Sequence, residues 1–150
     1  HELLHTTTTW VEDVNDVREY VPAMIAFLRR HGGVGLSANQ VGYSDSVFVT
    51  NLEGDWPRIF INPMVTPMGR SSTKREGCLS CPNVTYKRKR HSRVVASAFD
   101  INGEPFVLDT ARGYYKHRPM IGFLMAHVLQ HEAEHLDGID VRSGELLISP

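Results

Sequence analysis

The sequence predicts an α+β fold in which antiparallel β-sheets surround a C-terminal helix that carries a metal-binding pattern. Three observations lead there: an apolar helical stripe near the start, short β-rich runs through the middle, and a His-Glu-x-x-His pattern on a second stripe near the end. In the first stripe Val14, Val17, Val21, Ile25 and Leu28 recur at helical spacing, with Asp13 as cap and Gly32-Gly33 as stop. Pro22 lies inside it and is expected to kink or interrupt the helix. Ser46 to Asn51, Arg58 to Asn62, Val94 to Asp100 and Phe106 to Thr110 are rich in β-branched and aromatic residues and bounded by Gly, Asp, Asn and Pro. Asn102-Gly103, between two such runs, signals a hairpin. Pro119 then suits a first helical turn. Ile121, Leu124, Met125, Val128, His131, Glu132 and His135 follow on helical spacing until Gly138.

With 150 residues, 41% apolar and 22% charged, the chain is expected to fold as one globular domain over 1–150 rather than remain disordered. Sixteen basic residues against seventeen acidic ones give a net charge of −1, so no overall field points to nucleic acid or membrane. The apolar run from Pro119 to Val128 is about half the ~20 residues of a membrane span. His1-Glu2-Leu3-Leu4-His5 has no secretory pattern, and without an initiator Met a trimmed leader stays open. Charge is nevertheless uneven. Residues 70–93 hold eight Lys or Arg and one acid, Glu76, whereas 128–150 hold five acids and one base, Arg142. A run such as Lys87-Arg88-Lys89-Arg90 reads as a solvated face, since no aromatic stacking platform accompanies it; direct nucleic-acid binding is not expected.

Chemistry concentrates in three places. Gln130-His131-Glu132-Ala133-Glu134-His135 puts two imidazoles at i and i+4 on one helical face, able to hold one metal ion, with Glu132 beside them as a general base. A catalytic site needs a third protein ligand and an open position. Asp137, Asp140 and Glu145 are the poor downstream options; Cys78, in Glu76-Gly77-Cys78-Leu79-Ser80, is the soft upstream one. Cys78 and Cys81 could instead form a redox pair, or join both histidines in a closed structural zinc site. Gly33-Val34-Gly35-Leu36-Ser37-Ala38-Asn39-Gln40 reads alone as a helix stop and turn. It also lets backbone approach a ligand and offers the Gln40 amide as a neutral donor.

Together, and in this order, the three segments resemble the glycine-rich, cysteine and histidine motifs of the peptide deformylases, over roughly residues 12 to 140. The resemblance implies Cys78, His131 and His135 as metal ligands, with Fe(II) as the native ion and Zn, Ni or Co as replacements. It implies a metal-bound water attacking the formyl carbon of an N-formylmethionyl peptide, with Glu132 as general acid and base and formate released. The Gln40 amide and the Leu79 backbone N–H would donate to the developing oxyanion, each typically worth ~2.7–4 kcal/mol in the transition state. Peptide backbone would pair near Val34 and Gly35, and the methionine side chain would enter a pocket including Val34, Leu124, His127 and Val128. Glu76 and Arg90 match an ion pair that braces the metal loop.

Several positions depart from the family pattern. Ser37 and Glu134 stand where Ala and Asp are usual, and Cys81 replaces a commonly aliphatic residue. About eleven extra residues fall around Ala111 to Met120. The chain also stops short of the C-terminal helix many members carry, like the short forms of phages and mitochondria. None of these removes a catalytic group. The expected partners are nascent chains near the ribosome, with no membrane and a monomeric state, in the cytoplasm or in an organelle matrix after leader removal. Two other readings are an endopeptidase with an acidic third ligand and a peptide-binding module without turnover.

Overall fold

In the computed structural model, residues 7–78, 81–139 and 145–148 are described. Two short helices, α1 (Asn15–Arg18) and α2 (Val21–His31), open the chain. The single helix expected from Asp13 is therefore two. Pro22 interrupts the stripe, as expected, from the first turn of α2, where its missing N–H has no intrahelical partner to lose. Asp13 still helps the entry, its Oδ1 accepting from the Asn15 N–H at 2.9 Å. Gly32 ends α2 with φ +67°, a left-handed stop open to glycine.

The strands are β1 (Gly35–Ser37), β2 (Val47–Thr50), β3 (Arg58–Cys78), β4 (Cys81–Phe99), β5 (Pro105–Asp109) and β6 (Glu145–Ile148). They form an antiparallel sheet in the order β1-β2-β3-β4-β5, with β6 paired to β4 at Val84–Lys87. The expected strands Arg58 to Asn62 and Val94 to Asp100 are the bases of a much longer hairpin. Register shifts between Ile61 and Met64, Met68 and Ser71, and Glu76 and Cys78 bend it. Its far end carries the backbone of Cys78 opposite Cys81.

All four residues of β2 are buried, because helices cover both faces. Val47 and Val49 pack with Val17, Val21, Met24 and Leu28 on one side. Phe48 packs with Phe60, Met125 and Leu129 of α3 (Pro119–Leu136) on the other. Fully burying each such side chain is worth about 1.5–3 kcal/mol, so α3 is anchored by its apolar stripe. Its polar stripe is thereby turned toward β1 and the β3–β4 hairpin, where the three motifs meet. No helix among the described residues is long and apolar enough to cross a membrane.

Candidate active site

The site forms where β1 passes the last turns of α3. Only a glycine fits at position 35: a Cβ there would lie 2.6 Å from Glu132 Oε2 and 2.8 Å from Val128 Cγ1. The backbone of β1 thus lies directly on the carboxylate. Past β1, a short 3₁₀ turn (Ala38–Val41) locks onto the helix end through Asn39, whose amide donates to the His135 carbonyl at 2.6 Å. Gln40 Oε1 accepts from both the N–H and the hydroxyl of Ser37, each at 2.9 Å. These two bonds fix which way the amide faces, with its NH₂ turned away from Ser37.

His131 and His135 converge, their Nε2 atoms 3.1 Å apart. His131 Nδ1 lies 2.9 Å from Glu76 Oε1; a carboxylate only accepts, so Nδ1 carries the hydrogen and the Nε2 lone pair faces His135. Glu76 is itself held by Arg90 at 2.6 and 2.7 Å. Arg90, 3% exposed, also binds Glu134, as does Arg88. The basic run is therefore not the solvated face its composition implied, since alternate residues point inward onto acids of α3 and the hairpin. Burial opposes ionisation of Glu76, but hydrogen bonds from His131 and Arg90 outweigh it and lower its pKa to about 2. Glu132 differs. It is 3% exposed, its Oε1 has no hydrogen-bond partner among the described residues, and burial raises its pKa to about 7.

Two imidazole nitrogens converging beside a buried carboxylate, one backed by a carboxylate hydrogen bond, suit a soft-to-borderline divalent metal. Among the described residues no third His, Cys, Asp or Glu completes the cluster. Leu79 lies outside the described residues, as do Asp140 and the side chains of Cys78, Cys81 and Glu145. Asp137 is described, and it is exposed at the end of α3.

Beside the histidines opens a pocket of about 480 Å³. Val34, Gly35, Leu124, His127, Val128, Glu76, His131 and Glu132 line it, which brings together the residues expected for peptide binding and catalysis. Val34 and Leu124, each 49% exposed, flank its mouth. His127 donates from Nδ1 to the Phe123 carbonyl at 2.7 Å, and its burial lowers its pKa, favouring the neutral ring. Leu52 escaped the sequence reading, and Gly77 and the Ser37, Asn39 and Gln130 side chains were given no role in it. Gln130 sits immediately before the motif and ties α3 to β4, receiving the His91 N–H and donating to the His91 carbonyl, both at 2.8 Å. Its place in the motif was the available signal.

The family described as polypeptide deformylase matches residues 1–142. Peptide deformylase 1 of Clostridium perfringens is 36% identical, over 92% of this chain and 88% of its own. The Treponema pallidum peptide deformylase is 39% identical, over 88% and 77%. The crystal structure of a deformylase from a Vibrio parahaemolyticus bacteriophage, in complex with actinonin, superposes with a TM-score of 0.79 at 32% identity, covering 94% of this chain and 95% of that one. With the likeness spanning nearly the whole chain in both sequence and fold, the protein belongs to the polypeptide deformylase family, and so to the hydrolases.

Proposed function

We propose that this chain removes the formyl group from N-formylmethionyl peptides in a metal-dependent hydrolysis, with Cys78, His131 and His135 as the ligands. The observation that carries the reading is the convergence of the two histidine Nε2 atoms beside the buried Glu132, at the wall of one largely apolar pocket. Fe(II) is the preferred ion and Zn, Ni or Co would replace it; when bound, the ion supplies Lewis acidity toward a water and the formyl oxygen.

The rest falls to the chain's own groups. Glu132 takes a proton from the attacking water as the new C–O bond forms, then delivers it to the amide nitrogen as the C–N bond breaks. Burial, which raises the proton affinity of this carboxyl, suits it to hold the proton between the two transfers. The Gln40 amide, oriented by Ser37, and the Leu79 backbone N–H donate to the oxyanion. Val34 and Gly35 pair with the peptide backbone, while Leu124, His127 and Val128 enclose the methionine side chain. Glu76, held by Arg90, orients His131. Nascent chains leaving the ribosome, in the cytoplasm or an organelle matrix, are the natural substrates of such a site, acted on by a monomer.

The test is formate release from formyl-Met-Ala-Ser by protein loaded anaerobically with Fe(II). Beside it run Glu132→Gln and an acetylated peptide. Formate from wild type alone, with acetyl untouched, is the expected result; none from metal-replete wild type overturns the proposal.

A further inference from the structure

The residues around Ala111 to Met120 have no part in the chemistry above, yet they are bound closely to the turn between β2 and β3. Tyr114 Oη donates to the Gly54 carbonyl at 2.9 Å, and Tyr115 Oη donates to Asp55 Oδ2 at 3.0 Å. The Asp55 side chain is fully buried, and both of its oxygens also accept from Arg58, at 2.8 and 3.1 Å. The Arg58 guanidinium lies 4.1 Å from the Trp56 ring centre and 5.4 Å from each of the two tyrosine rings. Such a cage holds a cation firmly. The other end of the same turn belongs to the substrate pocket. The Asn51 N–H donates to the Val34 carbonyl at 2.8 Å, and Leu52, 4% exposed, lines the pocket wall.

We propose that Tyr114 and Tyr115 are positioning residues for the peptide: through Gly54 and Asp55 they brace the 51–55 turn, and so set Leu52 and the Val34 backbone in the arrangement the substrate meets. The inference rests on the deformylase reading of that pocket. Neither tyrosine touches the reacting atoms, so the brace acts on binding and not on the chemical step.

The experiment uses the metal-loaded double variant Tyr114→Phe/Tyr115→Phe, which keeps both rings and removes both hydroxyls. For formyl-Met-Ala-Ser, KM rises about five- to thirty-fold, the scale of one or two lost hydrogen bonds, while kcat stays within about twofold. Amide exchange at Asn51, measured without peptide, quickens by a similar factor. Val17→Ala, in the core beneath the first helices, serves as control; it lowers stability and leaves KM unchanged. Unchanged KM and unchanged Asn51 exchange in the double variant would overturn the inference, and so would an equal KM rise in Val17→Ala. If wild type releases no formate, the proposed function fails, and Asn51 exchange still decides the brace: faster exchange upholds it and unaltered exchange refutes it.

Discussion

Replacing Glu132 with Gln, in protein stripped of metal, isolates the cost of burying this carboxylate. Burial is the main cause that lifts its pKa from the ordinary 4.5 to about 7. A raised folded-state pKa means that the folded protein holds the proton more tightly than the unfolded chain. The associated stability is therefore fully present below pH 4.5 and is lost as pH rises through about 7. A shift of this size is worth roughly 3 kcal/mol, and no exposure discount applies to a side chain this deep. Glu76 titrates far below this window, its folded pKa being lowered to about 2, so its contribution is constant there. His127, whose pKa burial lowers, works with the opposite sign, since its contribution is lost as pH falls; it is common to both proteins. Urea unfolding from pH 5 to 8, with chelator, should show wild type losing stability toward alkaline pH relative to Glu132→Gln. Any constant penalty from the new amide cancels in the comparison of slopes. Parallel profiles would refute the buried, proton-holding carboxyl and with it the acid–base assignment.

Three further changes probe the site and its support. Gly35→Ala forces a Cβ against the Glu132 carboxylate and Val128, and should cut formate release at least tenfold while costing about 1–3 kcal/mol in urea unfolding. Glu76→Gln takes from the buried Arg90 one of its two carboxylates, Glu134 remaining, and replaces the carboxylate that orients His131 with a neutral amide. It should weaken metal affinity about 10–100-fold by competition with a chelator and cost about 1.5–3 kcal/mol. Leu129→Ala opens a hole in the core between sheet and α3, so thermal or urea unfolding should register a loss of about 2–5 kcal/mol.

The parts of the fold that were legible are those whose burial leaves an apolar period. The stripe from Ile121 to His135 is a helix with one face in the core and the other at the site, and 3.6-residue spacing records both facts. The long β3–β4 hairpin left no such record. Its inward residues around the site are Glu76, Arg88 and Arg90, which satisfy each other and Glu134, and its outward ones include Arg75 and Lys89. Charge on both faces hides a period of two, so the run reads as a solvated face of strand or loop alike. Pro22 was legible as an interruption: the stripe breaks between Arg18 and Val21, and proline sits in the new first turn, where no N–H is needed. The brace by Tyr114 and Tyr115 was invisible because its partners lie 60 residues away, and no local pattern encodes a contact of that range.

Glu134 joins the two halves of the uneven charge. Two cations of residues 70–93 and one acid of the final segment are partners in space, with Arg88 and Arg90 both seated on Glu134 and Arg90 reaching on to Glu76. A carboxylate that meets two guanidiniums is served by the longer side chain of Glu. Glu134→Asp shortens the reach by one methylene and should release one of the two arginines. Because the Glu134 side chain is 21% exposed and Arg90 keeps Glu76, the loss should be about 1 kcal/mol, below that of Glu76→Gln. Urea unfolding of the two variants side by side measures the difference. An equal loss would make Glu134 as much the anchor of Arg90 as Glu76 is. In that case the methylene of Glu134 would share, through Arg90 and Glu76, in orienting His131.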